Sequence, residues 1–339
     1  MTIKHIRVEY DQKNGTTGAF SPGDTLFGRV MVVASKETKV QCLIVKAKGK
    51  VEVKWPEQQG NGPPAVISDK KRYFYFENII LQDKKGDGLP GQNSYSFSFD
   101  IPNRDMPSSY EGKWGSITYS LHAKLTQTAW LGHKAKTQFP FLTKSEFPFG
   151  SKSEMMIIGL KEPQYATRIS FCGSGKVTVN VSTENMGLSQ SESMEVKAEV
   201  LNDSPYAVTP RFYLCEKQTF VTQSKRMVVH VSHVEFGTGG CAVPAASAQT
   251  IARVLTAPPQ LHPTFFNCSM MRLEYRLKVM LEFVQSRNAE IKLPLIILRA
   301  KDSAMTTVQA CWRLPVFAGH GCHGDSPQGS RRSAGGASS

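Results

Sequence analysis

Few stretches of this chain have the residue types and spacing that chemistry demands. Cys172-Gly173-Ser174-Gly175-Lys176-Val177 resembles a phosphate loop, in which backbone N–H groups cradle a phosphate, a lysine meets its charge and a hydroxyl holds magnesium. Position 170 is Ser where that loop needs its first glycine, and position 177 is Val where it needs the hydroxyl. The segment also leads into strand-like alternation, so no helix N-terminus would face an anion. A tight turn before a strand is the better reading. No Gly-x-Ser-x-Gly elbow occurs. His230 and His233, three apart in an extended region, point to different faces. His320, Cys322 and His323 have zinc-type donors but no fourth partner.

Two features survive this screen. Lys46, Lys48, Lys50 and Lys54 stand at even positions, with Glu52 among them. Extended backbone puts all of them on one face. Such a ladder is ordinarily a solvated strand face. Its functional reading is a shallow basic surface for an acidic or phosphorylated peptide. Nucleic-acid binding would want aromatic rings among the lysines on the same face; none is expected there, so no nucleic-acid partner is expected. The second feature is Cys241, in Gly237-Thr238-Gly239-Gly240-Cys241-Ala242-Val243-Pro244. Flexible glycines would expose its thiol, as a reactive cysteine requires; an ordinary loop cysteine is the alternative. No catalytic set emerges. The chain reads as non-enzymatic, with no cofactor and no metal site.

The elements that carry these residues are strands. From Leu43 to Trp55 the odd positions are apolar or small and most of the even ones are charged, so one face is dry and the other basic. Tyr95, Phe97 and Phe99 repeat the alternation, as do Ile117, Tyr119, Leu121, Ala123 and Leu125, and Val177, Val179 and Val181. In Arg272–Phe283, Leu273, Tyr275, Leu277, Val279 and Leu281 point one way, and Arg272, Arg276 and Lys278 the other. Pro294, inside the last strand, argues for an edge or a bulge. No helical stripe of ten or more residues is found.

The chain has 339 residues, enough for two cores. The stretch from Phe147 to Thr167 holds Pro148, Gly150, Gly159 and Pro163 and no sustained period, which reads as a joint. The blocks on either side begin alike. Phe20-Ser-Pro-Gly-Asp-Thr-Leu-Phe-Gly-Arg-Val-Met-Val and Leu188-Ser-Gln-Ser-Glu-Ser-Met-Glu-Val-Lys-Ala-Glu-Val each give a polar turn with an acid, then a period-two strand. Leu26, Val30 and Val32 fall on Met194, Ala198 and Val200. The expected architecture is all-β: two tandem antiparallel immunoglobulin-like β-sandwiches over 1–147 and 168–301, a linker over 148–167, and a disordered tail over 302–339.

Net charge is +13, with the larger share in the first block. That field favours acidic partners and peripheral contact with an anionic membrane. The N-terminus has no apolar core of a secretory signal, and Thr2 excludes the myristoylation pattern. Seven cysteines without a CxxC pair suit a reduced, cytosolic chain.

Four stretches, in order, resemble the alpha-arrestins: Phe20–Val32; Ser109-Tyr-Glu-Gly-Lys-Trp-Gly-Ser-Ile-Thr-Tyr119; Gly173-Ser-Gly-Lys-Val177; and Met271–Val279 with Lys292-Leu-Pro-Leu-Ile296. The resemblance spans about residues 3–299. It implies N- and C-terminal arrestin domains and a cytosolic adaptor for endocytosis, sorting and degradation of membrane proteins, recruited to plasma membrane and endosomes. Its implied partners are cytoplasmic segments of membrane receptors or transporters and other arrestin-family members. Such proteins usually carry Pro-Pro-x-Tyr, which WW-domain ubiquitin ligases read. Pro63-Pro64-Ala65-Val66 and Pro258-Pro259-Gln260-Leu261 both lack the tyrosine, so direct ligase recruitment is not expected. Two alternatives share the fold. One is a redox regulator that binds thioredoxin through a second-domain cysteine, near which Cys241 roughly lies. The other is a retromer-type coat subunit.

Overall fold

The computed structural model describes residues 3–300, except 13–17, 36–37, 59, 83–87, 90, 128–131, 144–159, 161, 173–174, 238–240 and 284–287. The tail 302–339, with His320, Cys322 and His323, lies outside the described residues, as does most of the stretch read as linker.

The first domain contains β1 (Ile3–Tyr10), β2 (Thr25–Ala34), β3 (Thr38–Lys39), β4 (Cys42–Glu57), β5 (Ala65–Gln82), β6 (Gly88–Leu89), β7 (Gln92–Asp100), β8 (Tyr110–Glu111), β9 (Gly115–Thr126) and β10 (Gly132–Gln138). Its two main sheets run β1-β2-β7 and β10-β9-β4-β5, with β8 beside β9. The second contains β11 (Gln164–Cys172), β12 (Gly175–Thr183), β13 (Gly187–Ser189), β14 (Ser193–Asn202), β15 (Val208–Val221), β16 (Arg226–Phe236), β17 (Ser247–Thr256), β18 (Met271–Phe283) and β19 (Ala289–Leu298). Its sheets run β11-β12-β14-β17 and β13-β19-β18-β15-β16. Among the described residues every regular element is a strand. Among the described strands pairing is antiparallel except between β13 and β19, and an isolated parallel bridge joins Phe20 to Phe141. The expected pair of tandem sandwiches is the fold.

The alternating apolar faces form the cores. Leu43, Val45, Ala47, Val51, Val53 and Trp55 of β4 are buried, as are Ile117, Tyr119, Leu121, Ala123 and Leu125 of β9. On β18, Leu273, Tyr275, Leu277, Val279 and Leu281 are buried and Arg272 is exposed. Arg276 and Lys278 are only half-exposed, because β18 lies between β15 and β19 and neighbouring side chains crowd its outer face. Pro294 sits where β19 is the sheet's edge: β13 pairs only with Ile296–Leu298. Cys172 pairs with Gly175 where β11 meets β12; Gly173 and Ser174, read as a tight turn in place of a phosphate loop, lie outside the described residues.

The internal repeat is structural. Ser21 N–H donates to Asp24 Oδ2 (2.6 Å), and Gly23 and Asp24 bond to Ile101. Ser189 N–H donates to Glu192 Oε2 (2.8 Å), and Ser191 and Glu192 bond to Ala257 in the same way. Gly23 has φ +85° and Ser191 φ +66°, so a non-glycine residue occupies the left-handed position in the second copy. Gln190 replaces Pro22 there. Its side chain is buried and bonds to Leu261 O and Ala300 N–H.

β5 carries a bulge that matters at the domain joint. Gly49 pairs with Phe74 and Lys50 with Arg72, leaving Tyr73 as the extra residue. Tyr73 Oη donates to Cys268 Sγ (3.4 Å), Lys71 Nζ to Ser269 Oγ (3.2 Å), and Asp69 Oδ2 accepts from Gln223 N–H (3.2 Å). Glu57 pairs with Lys225 and Asp105 with Asn267. Tyr110 packs edge-on against His262 and Phe265, with ring centroids 4.8 and 5.3 Å away. A Cβ on Gly115 would lie 2.7 Å from Met271 Sδ, so the domains approach closely there and the end of the Met271 side chain would have to move to admit a larger residue.

Candidate functional site

The lysine ladder proves to be one column of a wider surface. Antiparallel register places directly opposite residues on the same face. Across β5, β4, β9 and β10 the outer face reads in rows: Ile79–Ile44–Lys124–Lys134; Glu77–Lys46–His122–Lys136; Tyr75–Lys48–Ser120–Gln138; Arg72–Lys50–Thr118; Lys70–Glu52–Ser116. Lysines and arginine far outnumber Glu52 and Glu77. Lys48, Lys50, Glu52, Lys70, Lys71, Arg72, Ser120, His122 and Lys136 line an open cleft of about 500 Å³.

The predicted residues divide. Lys46 is half-buried and neutralised by Glu77 (2.9 Å); it also donates to Tyr75 Oη (3.0 Å), which donates to Glu77. Lys50 pairs with Glu52. Lys54 is exposed but is not among the residues that line the cleft. Lys48 lies within it, and no carboxylate partner is found for Lys48, Lys70, Arg72 or Lys136 among the described residues. Sequence reasoning missed Lys70, Arg72 and Lys136, which come from neighbouring strands. It also missed Tyr75, which overturns the expectation that no ring sits among the lysines. Lys46, Lys48 and Arg72 stand 5.6, 5.5 and 4.8 Å from the centre of that ring. One ring already covered by three cations is not the run of stacking platforms a nucleic-acid strand uses.

The local field is positive. Burial, then Lys46, Arg72, Lys50 and Lys136, lowers the Lys48 pKa. Burial and the cations Lys48, Lys136, Lys50 and Lys46 hold His122 down to about 4, so its ring is neutral at physiological pH. Hydrogen bonds from Tyr75 and Lys46 keep the Glu77 carboxyl below its usual range, and the bond from Lys50 does the same for Glu52. An arriving anion would relieve the mutual repulsion at Lys48.

The matching face of the second domain is more nearly balanced. Cys215, Lys217, His230, Arg276, Lys278 and Lys292 line a smaller hollow of about 190 Å³. Lys217 pairs with Glu274 (2.9 Å), Lys292 with Glu290, and Arg211 with both Glu235 (2.8 Å) and Glu282 (2.7 Å). Cys241 is exposed between β16 and β17 and is not among the residues that line either hollow. Among the described residues no group of three or more His, Cys, Asp or Glu is placed to hold a metal, and no helix is long and apolar enough to cross a membrane.

The family described as "Arrestin (or S-antigen), N-terminal domain" matches residues 6–145, and the corresponding C-terminal domain matches 173–301. Arrestin domain-containing protein 4 of Mus musculus is 25% identical over 305 residues, covering 87% of this chain and 72% of that protein. The Homo sapiens counterpart is 22% identical over 290 residues, covering 83% and 68%. Thioredoxin-interacting protein of Rattus norvegicus is 23% identical over 325 residues, covering 90% and 77%. With both arrestin domains matched in order and two β-sandwiches in place, this chain belongs to the alpha-arrestins of the arrestin family.

Proposed function

We propose that this chain is a non-enzymatic adaptor that takes acidic or phosphorylated cytoplasmic segments of membrane receptors or transporters onto the outer face of its first domain. It serves their endocytosis, sorting and degradation, works in the cytoplasm, and gathers at plasma membrane and endosomes through its cargo. One observation carries this reading: Lys48, Lys70, Arg72 and Lys136 converge on an open cleft without carboxylate partners among the described residues. The cleft is shallow and wet, so charge complementarity would set its preference and its encounter rate more than its affinity. Neither Pro-Pro pair offers a WW ligand. Pro63-Pro64 feeds into β5, and Pro258-Pro259 lies in a turn closed by Leu261 N–H to Pro258 O (3.2 Å).

The test is fluorescence anisotropy with one peptide in neutral, acidic and serine-phosphorylated forms. The wild-type chain should prefer the anionic forms, and binding should weaken with salt as a Debye length of about 8 Å at physiological ionic strength requires. Changing Lys48, Lys50, Arg72 and Lys136 together to Glu should cost roughly tenfold or more in affinity while leaving the fold intact. Equal affinity for all three peptides, or an unaffected quadruple variant, rejects the site.

A second reading rests on the exposed thiol of Cys241 and on relatives named for interacting with thioredoxin. If it holds, immobilised thioredoxin should retain the chain, and Cys241→Ser should abolish retention. Retention by the Ser variant rejects it.

A further inference from the structure

The outer face of the β11-β12-β14-β17 sheet carries an apolar stripe. Outward positions on β11 are Tyr165, Thr167, Ile169 and Phe171, opposite Ser182, Asn180, Thr178 and Lys176 of β12. Tyr165 is 78% exposed, Ile169 52% and Phe171 76%; Leu201 continues the Ile169–Thr178 row. β11 is the outermost strand of its sheet. Among the described residues no backbone hydrogen bond leaves its other side. An apolar edge strand with free N–H and C=O groups is a template for another strand.

The described chain ends at Ala300, in the same domain, and residues 301–339 follow. Their first part differs in composition from the glycine- and serine-rich remainder. Val308, Ala310, Trp312, Leu314 and Val316 alternate with Gln309, Cys311, Arg313 and Pro315. This is period two, the pattern of a strand with one apolar face. Val308–Val316 is as long as the 9-residue β11.

Reach and direction also fit. Gln164 Nε2 donates to Pro294 O (3.0 Å), which sets the start of β11 beside Pro294. The carboxylate of Glu290 feels Arg168, so β11 runs opposite to β19. From Pro294 through the end of β19 at Leu298 to Ala300 the chain covers at most about 20 Å. Residues 301–307, extended, span about 24 Å, enough to return to the Gln164 end. A segment arriving there and running on would lie parallel to β11. Pro315 has no N–H, which a strand tolerates only on an outward edge. If the even-numbered residues bond to β11, Pro315 faces away from the sheet, where no donor is needed.

We propose that Val308–Val316 adds to the free edge of β11 as a parallel fifth strand, setting Trp312, Leu314 and Val316 beside Tyr165, Ile169 and Phe171. Lateral contact between aromatic and branched side chains stabilises the pair. Pro315 on the new edge then blocks addition of a further strand. This assignment is independent of the basic cleft.

Hydrogen exchange read by mass spectrometry on the full chain tests it, against a chain ending at residue 304. β11 amides should exchange roughly tenfold or more slowly in the full chain. A peptide of residues 305–318 should restore that protection to the shortened chain. In the full chain, Trp312→Lys or Ile169→Lys should each return β11 to the fast rate. Ile169 is on an exposed edge, so its variant is expected to fold. Equal β11 exchange in the two chains overturns the proposal. So does protection that appears only at concentrations where the chain sediments as a dimer, which would make a second copy the occupant.

Discussion

The repeated turn gives a prediction with opposite signs at equivalent positions. At Gly23, φ is +85°, and an added Cβ would meet only the Asn103 side chain at 3.4 Å, an ordinary contact. The cost of Gly23→Ala is therefore conformational. A left-handed L-residue costs about 1–2 kcal/mol. Alanine's smaller conformational freedom in the unfolded chain returns about 0.4–1 kcal/mol. The net loss is about 1 kcal/mol. Ser191, at φ +66°, already bears that backbone cost, and its side chain is exposed. Ser191→Gly should thus be neutral or stabilising by up to about 1 kcal/mol, and Ser191→Ala near neutral, because Ala and Ser share the left-handed penalty. Urea unfolding followed by tryptophan fluorescence measures each variant. Calorimetry should show roughly 3 °C per kcal/mol for domains of this size. A neutral Gly23→Ala together with a destabilising Ser191→Gly would refute the equivalence of the two turns.

The His122 ring should titrate near pH 4 by NMR. Its folded pKa lies below the unfolded value of 6.5, so this group's contribution to stability is intact above about pH 6.5 and is lost as pH falls toward 4. Changing Lys48 and Lys136 to Gln should move the midpoint upward; a wild-type midpoint near 6.5 would show that the cleft is more hydrated than its geometry implies. Leu277, 1% exposed and flanked by Leu214 and Leu293 across β15 and β19, should cost about 2–5 kcal/mol when truncated to Ala. A loss under about 1 kcal/mol in denaturant titration would mean that the second core repacks around the gap.

The strands of the two cores were legible because a sheet with one dry face writes its burial in period two. Val40–Trp55 and Arg272–Phe283 could be read residue by residue, and so could the turn that precedes β2 and β14. β5 could not. Its outward residues are odd from Ile79 to Tyr75 and even from Arg72 to Ser68, because Ile80 and Tyr73 are extra residues relative to β4. The phase slip hides Arg72 and Lys70 from any periodicity search. Lys136 and His122 stood in plain alternation, but pairing register across β9 and β10 decides that they join Lys46 and Lys48. A column of lysines is therefore readable from one strand, whereas a cleft, made of rows, is not. The same bulge governs the domain joint. Below it, Lys70 and Arg72 turn to the cleft, while Asp69 and Tyr73 reach Gln223 and Cys268 of the second domain and Lys71, which also lines the cleft, reaches Ser269. One inserted residue thus gives a single strand two duties, lining the basic cleft on one face and fastening the domains on the other.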